Sequence, residues 1–289
     1  MQLSDYFSGN RPGLSFELFP PKSEEGVEAL MVEVGELCKF DPDFFTCTYG
    51  AGGSTQERTL AVAAGVKSRF QRPVASHLTC VGSTVEQLRS YLKLARSKGI
   101  DYIVALRGDP PKGETEFRAV EGGLRYANEL VKLVRSEFPE YGIAVAGYPE
   151  VHQEAMSAES DLQFLKQKVD AGGDIVVTQL FYDNQDFYRF RERCAQIGIT
   201  VPIVPGILPV TNLAQIQRIA NLCKARLPDS FVERLKQKDD PAWHYQVGVD
   251  FATAQVQDLL NHGVPGVHFY VLNKSHATSD VLKNLNYRA

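Results

Sequence analysis

Eight short apolar runs, each followed by a longer stretch, constrain this chain more than any other feature. The runs occupy residues 14–19, 44–49, 74–79, 102–107, 143–148, 175–181, 203–208 and 267–272. Each is rich in Val, Ile, Phe, Tyr or Thr, and several are nearly continuous, as strands buried on both faces are. The stretches between them carry helix signals. Ser54-Thr-Gln-Glu57 and Thr84-Val-Glu-Gln87 read as capping boxes. Leu88, Leu92 and Ala95 recur at helical spacing, as do Leu162, Leu165 and Val169. Gly99 and Gly172 follow helix ends, where a left-handed residue is needed. Repeated strand–helix alternation predicts a parallel sheet. Eight units in 289 residues favour closure into a single α/β (βα)8 TIM barrel, which takes roughly 250 residues. One interval is longer: residues 212–263 leave room for about three helices, including 228–237 and 241–261, read as extra helices between strands seven and eight. No linker or composition shift divides the chain, so residues 1–289 are expected to form one catalytic domain.

Composition narrows the class. Lys plus Arg is 31 against 35 Asp plus Glu, a net charge of −4, which argues against a sequence-independent nucleic-acid binder. No apolar run approaches the roughly 18 residues of a membrane helix, and the first residues lack the pattern of a signal peptide. The five cysteines are Cys38, Cys47, Cys80, Cys194 and Cys223; no pair sits at C-x-x-C, so neither a disulfide framework nor a metal site is expected. Cys47 and Cys80 read as small core residues. The expectation is a reduced, cytoplasmic protein with neither nucleic-acid nor membrane partners. A homo-oligomer is left open.

In such barrels the active site lies at the C-terminal ends of the strands, so polar residues there are candidates for chemistry. Glu17 stands in an otherwise apolar first strand. Burial disfavours its charged form, and a carboxyl kept protonated near neutral pH can act as a general acid; the alternative is a structural Glu tied to Lys or Arg. Strand two runs into a glycine-rich loop that matches neither a Walker A nor a Rossmann fingerprint, since Thr55 stands where a third Gly is required. His77, on strand three, has no second His at metal spacing and is most simply a hydrogen-bonded core residue. Arg107 and Asp109 end strand four and either pair with each other or offer a phosphate fork and a carboxylate acceptor. Ala144, Ala146 and Gly147 would leave space in the barrel mouth, with Tyr148 and His152 at its rim. Gln179 is a buried amide that must be satisfied, placed by strand alternation with Val177 and Phe181. No strand interior carries a Lys for Schiff-base chemistry.

The segments Ser15-Phe-Glu-Leu-Phe-Pro-Pro-Lys22, Thr48-Tyr-Gly-Ala-Gly-Gly-Ser54, Leu106-Arg-Gly-Asp109, Ala146-Gly-Tyr-Pro-Glu-Val-His152, Lys168-Val-Asp-Ala-Gly172, Thr178-Gln-Leu-Phe181, Pro205-Gly-Ile-Leu-Pro209 and His268-Phe-Tyr-Val-Leu-Asn273 occur in that order over nearly the whole chain. Together they resemble the methylenetetrahydrofolate reductase family. The resemblance implies a flavoprotein oxidoreductase of one-carbon metabolism and methionine biosynthesis, holding FAD without a Rossmann domain. NADH or NADPH would reduce FAD. The folate would then take the nicotinamide's place, and hydride would pass from flavin N5 to 5,10-methylenetetrahydrofolate, giving 5-methyltetrahydrofolate. Glu17 matches the acid that assists ring opening. Asp109 matches the carboxylate that tunes the flavin and binds the pterin, and Gln179 the amide that contacts folate and nicotinamide. Thr48, Tyr49, Ala51, His77, Arg107, Gly108, Asp109, Tyr126, Ala127, Tyr148, His152, Ala155, Asp161 and Lys168 would line the FAD site. Gln215 and Lys274 fall where folate contacts are expected.

Two positions depart from the family pattern. Lys274 stands where Arg is usual, keeping the positive charge for the folate glutamate tail but losing the fork. Ile219 stands where an aromatic residue can stack on the ligands. The chain is similar to the short bacterial type, which implies NADH preference and no control by S-adenosylmethionine. Rival readings are another FAD-dependent barrel oxidoreductase, similar to proline dehydrogenase, and a non-redox barrel lyase or silent binding protein. The first would need an arginine carboxylate clamp, for which residues 271–275 supply only Lys274.

Overall fold

The structure, a computed structural model, describes residues 2–49, 56–110, 113 and 117–288. A parallel sheet of nine short strands curls into a barrel inside a layer of helices. The strands are β1 (Gly13–Leu18), β2 (Phe44–Cys47), β3 (Val74–Thr79), β4 (Tyr102–Leu106), β5 (Gly142–Gly147), β6 (Ile175–Thr178), β7 (Ile203–Val204), β8 (Gly206–Ile207) and β9 (Gly266–Tyr270). The helices are α1 (Glu24–Cys38), α2 (Gln56–Phe70), α3 (Val85–Ser97), α4 (Ala127–Glu137), α5 (Ala158–Asp170), α6 (Asn184–Gln196), α7 (Leu213–Cys223), α8 (Asp229–Lys236), α9 (Pro241–Asn261) and α10 (His276–Asn284).

Each strand from β1 to β6 pairs in parallel with the next, and β1 also pairs with β9. The expected seventh strand is split. Pro205 has no N–H to give a ladder, so β7 pairs with β6 on one side while β8 pairs with β9 on the other. The chain still closes the ring there: Pro205 O accepts from His268 N at 3.0 Å, and Gly206 N donates to Thr178 Oγ1 at 2.9 Å. The nine strands are therefore the eight of a barrel with one interrupted.

The cores follow from the two-residue period. Phe44, Ala75, Tyr102, Val104, Ala144, Ile175 and Val204 cluster with Leu3 and Phe7 of a short N-terminal 3-10 helix (Leu3–Phe7). A larger cluster joins the outward strand faces to the helices, where Leu88, Leu92 and Ala95 of α3 are buried. Thr84 and Gln87 close the capping box at the start of α3: Thr84 N donates to Gln87 Oε1 at 2.8 Å and Gln87 N to Thr84 Oγ1 at 3.3 Å. The Ser54 capping box lies outside the described residues. Gly99 and Gly172 take φ of 75° and 122°, as residues past helix ends. The long interval holds α7, α8 and α9, packed on Leu208, Val210 and Tyr182 as a third cluster. Cys47 and Cys80 are buried. Among the described residues no helix is long and apolar enough to cross a membrane.

Candidate active site at the barrel mouth

The strands deliver their last residues to a cavity of about 460 Å³, a volume typical of small-molecule sites. Several sequence runs outlast their strands: Thr48, Tyr49, Arg107 and Gln179 lie past the ends of β2, β4 and β6, in the segments that shape the mouth. Glu17, Thr48, Tyr49, His77, Arg107, Gly108, Asp109, Tyr148, His152 and Gln179 all line this one cavity.

Glu17 is 8% exposed. Among the described residues no Lys or Arg ion-pairs with it; its partner is His77, with Nε2 3.3 Å from Glu17 Oε2. Burial raises the Glu17 carboxyl to about 8 and lowers the His77 imidazole to about 4. Both are therefore mainly neutral at pH 7, and Glu17 carries a proton that it can give away. Thr46, the register neighbour of Glu17 on β2, also lines the cavity, and its Oγ1 is buried without a hydrogen-bond partner.

The rim is tied down by named contacts. Arg107 does not pair with Asp109. Its Nη1 and Nη2 donate to Glu154 at 2.5 and 2.8 Å, its Nε donates to Gly108 O at 3.2 Å, and its guanidinium lies 5.1 Å from the Phe117 ring centre. Neither alternative holds: the fork is filled by a carboxylate of the same chain, that of Glu154. Asp109 is left exposed at the rim. His152 N donates to Asp161 Oδ2 at 3.0 Å, and the His152 ring meets Tyr148 edge-on at 4.6 Å. Lys168 Nζ donates to Ala146 O at 2.5 Å; burial lowers its ammonium to about 8, opposed by Asp161. Gln179 Oε1 accepts from Leu180 N at 2.9 Å, leaving the Nε2 hydrogens as its donors toward the cavity.

Two expectations about faces fail. Val177 and Gln179 line the cavity, but Phe181 turns away and stacks on Phe187 at 5.4 Å in the outer core, because β6 has ended at Thr178. Gly147 does not open the mouth either. A Cβ there would lie 2.7 Å from Val176 and 2.8 Å from Phe190, so its smallness serves packing outside the barrel, whereas Ala146 does line the cavity and Ala144 lies in the inner core cluster.

Tyr126, Ala127, Ala155, Asp161 and Lys168 are not in the cavity wall. Tyr126 and Ala127 begin α4, with Tyr126 more than half exposed; Ala155 precedes α5, which carries Asp161 and Lys168. Ala51 lies outside the described residues. Gln215 and Lys274 line a second cavity of about 280 Å³, and Tyr270 belongs to both walls, its hydroxyl donating to Thr178 O at 2.7 Å. Ile219 packs in the third core cluster beside Leu272. The sequence reading missed Thr46, His268 and Tyr270 as wall residues. The signal was available: Ser15 and Glu17 on β1 are in register with His268 and Tyr270 on β9, each pair two residues apart and so on one face.

Fold and site together define an α/β-barrel protein with a small-molecule site at the strand ends and a neutral carboxyl group in its wall. The chain belongs to the methylenetetrahydrofolate reductase family, whose model matches residues 2–286. It is 42% identical over 284 residues to methylenetetrahydrofolate reductase (NADH) 1 of Arabidopsis thaliana, covering 94% of this chain and 48% of that protein. It is 39% identical over 276 residues to 5,10-methylenetetrahydrofolate reductase of Escherichia coli (strain K12), covering 95% of this chain and 91% of that protein. The chain thus spans about half the length of its plant relatives and most of the bacterial one. Among solved structures, an uncharacterized Clostridium thermocellum protein that binds two copies of 5-methyl-5,6,7,8-tetrahydrofolic acid shares the fold, with a TM-score of 0.69 and 14% identity over 99% of this chain and 100% of that one. A dihydropteroate synthase from Coxiella burnetii, in complex with pteroic acid, does so at 0.53 and 13%, over 97% and 94%.

Proposed function

We propose that this chain catalyses the flavin-dependent reduction of 5,10-methylenetetrahydrofolate to 5-methyltetrahydrofolate, with NADH or NADPH as electron donor. Family membership supports the reaction, and the observation that carries the mechanism is the buried Glu17 carboxyl in the cavity wall, which burial pushes up to about 8.

The residues fit FAD. A flavin ring needs a flat slot with hydrogen-bonding groups on one edge. The cavity has Ala146, Tyr148 and His152 in its walls, the Gln179 amide, and the unpartnered Thr46 hydroxyl. Thr48, Tyr49, His77, Gly108, Asp109, Tyr148 and His152 would hold the ring system. Tyr126, Ala127, Ala155, Asp161 and Lys168 would serve the rest of the dinucleotide, outside the cavity wall. FAD, when bound, would supply the hydride chemistry between the nicotinamide and the one-carbon unit of the folate.

The protein's own part is acid catalysis and positioning. Glu17 donates its proton to the ring nitrogen that leaves; the bond from that nitrogen to the methylene carbon breaks, its electron pair staying on nitrogen, and the methylene remains on the other nitrogen as an iminium. Gln179 donates from Nε2 to an acceptor on the ligand edge, and Asp109 accepts from the N–H groups of the pterin. Asp161 and Lys168 hold the loop and strand end behind Tyr148 and His152. In the second cavity Gln215 and Lys274 receive the folate tail, Lys274 as a point charge for its carboxylate. FAD-loaded protein given NADH and methylenetetrahydrofolate should form 5-methyltetrahydrofolate, detectable by mass spectrometry. NADH consumption without that product would reject the folate as substrate.

A further inference from the structure

Glu17 and His77 come from β1 and β3, strands with β2 between them, and the curvature of the barrel brings their side chains together in the cavity wall. Each side chain is 11% exposed, and His77 Nε2 stands 3.3 Å from Glu17 Oε2. With both groups neutral, one proton can lie between them in two ways. Either the carboxyl O–H points at a bare Nε2, or Nε2 carries the hydrogen and points at a carboxyl oxygen. The distance favours the second. An O–H donor draws its acceptor to roughly 2.5–3.0 Å and N–H donation spans roughly 2.7–3.2 Å, so the 3.3 Å contact lies well outside a bond of the first kind and just outside one of the second. In the first arrangement the acid's only proton would face the imidazole and be lost to the ligand. In the second the O–H is free to face the cavity.

We propose that His77 is a positioning residue for Glu17: its Nε2–H faces one carboxyl oxygen, leaves the acid O–H to the cavity, and closes into a hydrogen bond on the carboxylate that remains after the proton has gone to the substrate nitrogen. The inference rests on the reading of Glu17 as the proton donor. In the step itself the Glu17 O–H bond breaks, an N–H bond forms on the leaving nitrogen, and the negative charge stays on Glu17. The Nε2–H contact shortens and strengthens as the charge appears, since hydrogen bonds to ionised acceptors are shorter and stronger.

The test compares His77→Gln, whose amide can place an N–H near the same point, with His77→Leu, which removes it. Both variants are saturated with FAD, and each half-reaction is followed separately by flavin absorbance over pH 6–9.5. In His77→Leu the folate half-reaction should slow by about 10–100-fold, more than the NADH half-reaction does. Its falling limb should move to higher pH, because the Glu17 carboxylate has lost its donor. His77→Gln should recover most of the rate and return the limb toward wild type. Cys47, Tyr270 and His268, the ionisable groups packed beside Glu17, stay neutral over this range, while Asp109 and the Arg107–Glu154 pair at the rim are common to all three proteins. Burial raises Cys47 on β2 and Tyr270 on β9 and lowers His268 to about 3. Lys168, at about 8, is common to all three proteins. Equal slowing of both half-reactions, an unmoved limb in His77→Leu, or a Gln variant no better than Leu would overturn the role of His77. A wild-type protein with no folate half-reaction would overturn the functional reading beneath it.

Discussion

Arg107 holds Glu154 with both terminal nitrogens, at 2.5 and 2.8 Å, across the rim of the cavity. The pair joins the end of β4 to the loop before α5, the loop that also carries Tyr148 and His152. Arg107 is 22% and Glu154 43% exposed, so solvent screens the pair and its worth is modest. A double-mutant cycle with Arg107→Ala and Glu154→Ala should give a coupling of roughly 0.5–1 kcal/mol in urea unfolding. Strict additivity would show that the rim is not held by this contact.

The raised Glu17 carboxyl ties stability to pH. Its folded value is about 8 against an ordinary 4.5, so between those values the folded chain keeps a proton that the unfolded chain has lost. Stability from this group is therefore present at low pH and falls as pH rises toward 8. His77 and His268, lowered to about 4 and 3, act in the opposite sense up to their ordinary value of 6.5 and a little beyond, and do so equally in wild type and Glu17→Gln. From pH 6 to 8 the wild type should lose roughly 2 kcal/mol relative to Glu17→Gln. Unfolding midpoints of the two proteins that run parallel over this range would contradict a buried neutral acid.

Gly206 is fixed by contact. A Cβ there would lie 2.3 Å from Thr178 O and 2.7 Å from Tyr270 Cε2. Gly206→Ala must push either the β6 backbone or the tyrosine that divides the two cavities. The expected cost is about 1–3 kcal/mol, with weaker folate binding in a titration because Tyr270 moves. A variant with wild-type stability and affinity would mean that the junction yields freely.

Far from the mouth, Arg288 and Asp43 form an ion pair with both side chains about 95% buried. Asp43 also accepts from Leu14 N at 2.8 Å and Arg11 Nη2 at 2.9 Å, and Arg288 donates to Pro12 O at 2.7 Å, so the pair fastens the chain's last residues to the start of β1. Arg288→Ala leaves a buried carboxylate whose one remaining cationic partner among the described residues, Arg11, is half exposed, and should cost about 3 kcal/mol in thermal or urea unfolding. A change below about 0.5 kcal/mol would show the charge to be solvated.

The barrel was legible because strands buried on both faces leave continuous apolar runs, and because eight such runs cannot be packed in many ways. Residues 203–208 read as one strand, and the split comes from Pro205, which cannot donate to a ladder. Faces were legible only while a strand lasted. Ser15, Glu17, His268 and Tyr270 keep the two-residue period, but Phe181 lies three residues past the end of β6, where that period no longer applies. Gly147 looked like space in the mouth because sequence does not show on which side a small residue is needed. The partner of Arg107 was not legible either. Glu154 is distant in the chain and reaches Arg107 only because β4 and β5 are barrel neighbours. Glu17 was found for a physical reason that survives folding: a carboxyl in an apolar strand must be neutralised or paired.

The most direct test of the account is anaerobic stopped-flow of FAD-loaded wild type and Glu17→Gln, following flavin absorbance as NADH and then methylenetetrahydrofolate are added. Wild type should bleach with NADH and regain colour with the folate. Glu17→Gln should still bleach, but regain colour on the order of 100-fold or more slowly, the scale of a lost general acid. Recovery at the wild-type rate in Glu17→Gln, or no recovery with the folate in wild type, would contradict it.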